Sequence, residues 1–114
     1  MIPLVVWISL LVPPCTITGT TGNDAITGTP GPDVICTGAG NDIIASGDGN
    51  DIIRSGPGRD RVDPGYGRDT VFLGPGNDNV EAVDRQADKL YGGPGIDFAH
   101  DDRYDRIWGF ERVI

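Results

Sequence analysis

At 114 residues the chain is a single domain with room for only a modest core. Its 18 glycines and 9 prolines approach the level at which composition alone describes a disordered, low-complexity chain, and any folded account must beat that reading. The formal charge of -8 is nearly all aspartate, because Glu81 and Glu111 are the only glutamates; nucleic acid is excluded as a partner, since Arg54, Arg59, Arg61 and Arg68 alternate with aspartates and form no basic stripe.

The first element is an apolar run from Ile2 to Val12, long enough for the core of a signal peptide and too short to span a membrane. It has neither a basic leader nor a small-x-small cleavage site, so residues 1–14 are read either as a signal peptide or as a retained apolar cap. Cys15 and Cys36, the only cysteines, lie in no zinc-type spacing. A disulfide between them would tie the entry segment to the second repeat, as suits a secreted chain; two unrelated small buried residues are the alternative.

From Gly19 onward the chain divides into nonapeptides: GTTGNDAIT, GTPGPDVIC, TGAGNDIIA, SGDGNDIIR, SGPGRDRVD, PGYGRDTVF and LGPGNDNVE. Aspartate recurs at 24, 33, 42, 51, 60, 69 and 78, an aliphatic residue two places later, and glycine two places before. A disordered chain has no reason to keep such a register. The pattern falters in AVDRQADKLY, which carries one extra residue around Asp88 and Leu90, recovers in GGPGIDFAH, and degenerates in DDRYDRIWG. Residues 101–114, with Trp108 and Phe110, and the nearby Tyr91 and Phe98, read as an apolar end-cap.

Within each unit the glycines permit a tight six-residue turn, and the last three residues make a strand too short to stand alone. Such strands are stable only when stacked in parallel, with Ile26, Ile44, Val62 and Val80 in one inward column and Ile35, Ile53, Val71 and Leu90 in the facing one. The expected fold is therefore all-β: a two-sheet solenoid over residues 15–100 with two nonapeptides per coil. Stacking places Asp24, Asp42, Asp60, Asp78 and Asp97 along one edge, and Asp33, Asp51, Asp69 and Asp88 along the other. Neighbouring carboxylates ~5 Å apart repel by about 1 kcal/mol even at the dielectric of water, so the bare rows oppose folding. The turns offer only oxygen donors, which suits calcium better than magnesium, zinc or copper. Asp48, Asp63, Asp84, Asp101 and Asp102 fall off the repeat position and read as solvated surface charge.

The units TGAGNDIIA, SGDGNDIIR and GGPGIDFAH resemble the GGxGxDxUx nonapeptide of the RTX, or hemolysin-type, calcium-binding repeat family, from Gly19 to His100. The resemblance implies a parallel β-roll holding several calcium ions between adjacent turns, with carboxylates of Asp42, Asp51, Asp60, Asp69 and Asp78 as ligands. Backbone oxygens or turn geometry would come from Gly38, Gly40, Gly47, Gly49, Gly56, Gly58, Gly65, Gly67, Gly74 and Gly76. Asp24, Asp33 and Asp97 extend that set. Thr20 and Thr29 replace the second glycine beside Asp24 and Asp33, and the insertion before Asp88 is expected to weaken or remove a site there.

No HExxH, GxSxG, complete GxGxxG or EF-hand loop is present, and the one histidine, His100, falls at an outward strand position, so the chain is read as non-enzymatic. The preferred reading is a secreted, extracellular calcium-binding module. Two others stay open: an adhesion module using an outward apolar patch of Val34, Ile43 and Ile52, and a C-terminal export and folding module severed from a larger secreted toxin or enzyme.

Overall fold

A computed structural model of the protein describes residues 14–102, 104–110, 112 and 113. The apolar run from Ile2 to Val12 lies outside the described residues. The final residues of each repeat form a strand, as their β-branched content favours, and the glycine-rich remainder forms the turn between strands. The strands are β1 (Ile17–Thr18), β2 (Ala25–Thr27), β3 (Val34–Cys36), β4 (Ile43–Ala45), β5 (Ile52–Arg54), β6 (Arg61–Asp63), β7 (Thr70–Phe72), β8 (Asn79–Ala82), β9 (Lys89–Tyr91), β10 (Phe98–Asp101), β11 (Arg106–Trp108) and β12 (Arg112–Val113).

Odd-numbered strands form one parallel sheet of six, in the order β1-β3-β5-β7-β9-β11, and even-numbered strands form the other, β12-β10-β8-β6-β4-β2. Successive strands therefore alternate between sheets, and two repeats complete a coil. This is the parallel β-roll architecture. Register is in phase throughout: Ile35 opposes Ile53 and Val71 opposes Leu90 in the odd sheet, while Ile26 opposes Ile44 and Ile44 opposes Val62 in the even one. No described helix is long and apolar enough to cross a membrane.

The middle residue of each strand points between the sheets. Ile35, Ile44, Ile53, Val62, Val71, Val80, Leu90 and Ala99 are fully buried, and Leu73, just after β7, and Ala82, the last residue of β8, join them. Truncating Ile53, which has no exposed surface, should cost about 2–5 kcal/mol in chemical denaturation. Ile43→Ala, at 60% exposure, should shift stability by less than about 0.5 kcal/mol.

Three expectations need correction. Val34, Ile43 and Ile52 do not form one patch, because Val34 pairs with Ile52 on the odd sheet whereas Ile43 lies on the even one. Of the aromatics expected to form an end-cap, only Phe110 packs against the core; Phe98 and Trp108 are exposed and Tyr91 stacks in an outward column. Finally, the degenerate end continues the coil, with β11 pairing with β9 and β12 with β10. Cys15 and Cys36 are disulfide-bonded, holding the entry segment against the outer side of β3.

Candidate metal centre

Each repeat aspartate immediately precedes its strand, at the rim where a turn enters the sheet. Its carbonyl accepts the N–H of the first strand residue one coil away, as Asp24 does from Ile43 and Asp42 from Arg61, both at 2.9 Å. Its own N–H is then directed along the rim to the aspartate of the next coil. Asp42 donates to Asp60 Oδ1, Asp51 to Asp69 Oδ1 and Asp60 to Asp78 Oδ1, at 2.7–2.8 Å. The backbone thus fixes one oxygen of every carboxyl in a continuous ladder.

The second oxygen is treated differently. Oδ2 of Asp42, Asp51, Asp60, Asp69, Asp78 and Asp88 is buried and receives no hydrogen bond from the described residues. A buried acceptor without a donor is costly, and a buried charge more so. Burial pushes the carboxyls up from the ordinary aspartate range: Asp60 to about 6, Asp78 and Asp88 to about 7, and Asp69 to about 8. Asp51 and Asp105 shift the same way, with burial again the largest cause. Ladder N–H groups oppose the shift, and neighbouring carboxylates reinforce it.

All ten glycines singled out from the sequence lie in these turns, with φ between +72° and +128°. The carbonyls of Gly38, Gly40, Gly47 and Gly49 accept no hydrogen bond among the described residues. No three His, Cys, Asp or Glu side chains converge among the described residues, so a cation here must draw on those carbonyls as well as on the rim carboxylates. Unengaged hard oxygen donors of both kinds fit calcium.

The ends of the columns depart from this pattern. Asp24 and Asp33 take their places, but Thr20 donates its N–H and hydroxyl to the two oxygens of Asp24, and Thr29 does the same for Asp33, at 2.7–2.8 Å. A threonine at the second turn position thus supplies a donor of the kind that Oδ2 of Asp42, Asp51, Asp60, Asp69, Asp78 and Asp88 lacks among the described residues. Gly22 and Gly31 in these turns do not take positive φ. At the other end Asp97 is buried in its column and accepts the N–H of Asp78 at 2.9 Å.

Asp88 keeps its place despite the insertion, accepting the N–H of Asp69 at 2.8 Å. The loop before it absorbs the extra residue: Arg85 adopts φ 68°, and Asp84 and Gln86 both accept from Gly67 N–H. Asp105, which sequence reasoning missed, ends the second column by accepting the N–H of Asp88 at 3.0 Å. Its Asp-x-Ile spacing to Ile107 was the available signal. The off-register Asp63, Asp84 and Asp102 cap turn N–H groups and are not merely solvated.

A parallel β-roll with buried aspartate columns on both rims defines a class of repeat proteins built around cations. The model of the RTX calcium-binding nonapeptide repeat (4 copies) matches residues 18–53 and 46–80. The chain belongs to that family. No curated protein and no solved structure matches it.

Proposed function

We propose that the chain is a secreted calcium-binding module whose order depends on the ions it holds. The reading rests on the repeated buried Oδ2 that the described residues leave without a donor. Asp42, Asp51, Asp60, Asp69, Asp78 and Asp88, with the carbonyls of neighbouring glycine turns, would hold ions between coils. A bound ion supplies positive charge that offsets repulsion along the columns and replaces the missing donors.

Sites assembled from several coils do not exist in the unfolded chain, so ion binding stabilises the roll by mass action. An ion at a hundredfold excess over its Kd contributes about 2.7 kcal/mol per site. The Cys15–Cys36 bridge suits an oxidising compartment, consistent with function outside the cell.

Circular dichroism of metal-free protein should show little β structure at neutral pH and a cooperative gain on calcium addition. Calorimetric titrations should show several calcium sites and weak or no heat with magnesium. A full β spectrum without metal, unchanged by calcium, would refute the proposal.

A further inference from the structure

We propose that the outer face of the odd-numbered sheet is a docking strip for a linear polyanionic polysaccharide, whose sulfate or carboxylate groups are taken by Arg68, Lys89 and Arg106. From β3 to β11 the outward positions carry no acidic residue, although the chain as a whole has a charge of -8. Thr70, Lys89 and Arg106 stand in register on adjacent strands. With Arg68 from the preceding turn they line a hollow of about 440 Å³. The two acids in its wall, Asp69 and Asp88, are buried in the rim column. None of the three cations has a carboxylate partner among the described residues.

Beside the cations runs an aromatic column. The Arg54 guanidinium lies 5.8 Å from the Phe72 ring centroid, Phe72 stacks on Tyr91 at 4.8 Å, and Tyr91 stacks on Trp108 at 4.7 Å with planes 9° apart. Stacked this way, the rings cover one another's electron-rich faces and turn their electropositive edges to solvent, which adds to the attraction for anions. Among the described residues no ring stacks on the far face of Trp108, which is 46% exposed and offers a platform for the apolar C–H face of a sugar.

The strip's shape selects a thin chain. Arg54 to Trp108 spans three strand spacings, about 14 Å, and the two outward positions of each strand are only ~7 Å apart. A flat anionic membrane would meet far more of the roll than this strip, and the chain as a whole carries a charge of -8. An acidic peptide lying along β5, β7 or β9 would find no backbone donors to pair with, because those strands are paired on both sides within the sheet.

The test is binding of calcium-saturated full chain to immobilised dextran sulfate, with neutral dextran as reference. Retention should be selective for the sulfated polymer and fall with salt. K89Q/R106Q should weaken it roughly tenfold or more, as expected for loss of charge-assisted contacts. R59Q/R61Q, which removes the same charge from the other side of the roll, should leave it unchanged; calcium-induced dichroism of both variants monitors folding. No preference over neutral dextran, or equal weakening by both variants, would overturn the proposal. So would binding to phosphatidylglycerol vesicles without binding to the soluble polymer, or equally tight binding of polyglutamate.

Discussion

Freed of divalent cations, the protein should be more stable at pH 5 than at pH 8. The rim carboxyls carry the effect. In the unfolded chain they titrate near 3.8, whereas in the roll burial raises Asp60 to about 6, Asp78 and Asp88 to about 7, and Asp69 to about 8. Between these limits the folded state holds protons that the unfolded state has released, so stability falls as pH rises. The contribution is complete below 3.8 and is lost progressively up to pH ~8. Calcium reverses the dependence, because it binds the ionised carboxylates and competes with the same protons; its affinity should rise across that window.

The β signal of metal-free protein followed from acid to neutral pH, with urea unfolding at the acid pH values where the roll forms, measures the first effect, and calorimetry in buffers of different ionisation enthalpy measures proton release for the second. Asp69→Asn should flatten the metal-free pH profile and remove a calcium contact. Glu81→Gln, at an exposed strand position, should do neither. Stability of the metal-free protein that climbs from pH 5 to pH 8 would contradict this account of the rims.

The inward columns were legible because a period of nine, with two units per coil, fixes which aliphatic opposes which. Ile35, Ile53, Val71 and Leu90 needed no three-dimensional information, and neither did the aspartate rows down to Asp78. Legibility ended where the period did. The insertion before Asp88 reads in the sequence as weakening or removing a site there, yet the loop absorbs one residue by a left-handed Arg85 and side-chain caps from Asp84 and Gln86, and Asp88 stays in its column. Periodicity does not register such slack.

The same slack hid the aromatic column. Phe72, Tyr91 and Trp108 are separated by 19 and then 17 residues, and stack because each loop absorbs its own insertion or deletion and leaves the strands in register. Thr20 and Thr29 were visible as departures, but that their N–H and hydroxyl groups engage both oxygens of Asp24 and Asp33 depends on turn geometry. Asp105 was obscured by the missing glycines of its own unit.

Gly58→Ala should unfold a coil that Gly31→Ala leaves intact. Gly58 has φ +128°, a conformation that L residues rarely enter, and a Cβ there would overlap the carbonyl oxygen of Gly40 one coil away. Relief by moving Gly58 is blocked, because its N–H donates to Pro75 O at 3.1 Å on the opposite side. The turns are thus clamped at the strand spacing of ~4.8 Å from both directions. Dihedral strain of roughly 1–3 kcal/mol combines with an overpacking cost of similar size, so a loss of about 3 kcal/mol or more is expected in calcium-saturated urea unfolding. Calcium affinity should fall too, since the displaced turns carry Asp42 and Asp60. At Gly31 φ is not positive and no atom lies within 4 Å of an added Cβ. Alanine there only restricts the unfolded chain, which stabilises by about 0.4–1 kcal/mol. Equal stabilities for the two variants would mean that the coils are not packed backbone to backbone, and the close approach of turns that brings carbonyls to the rim carboxylates would go with it.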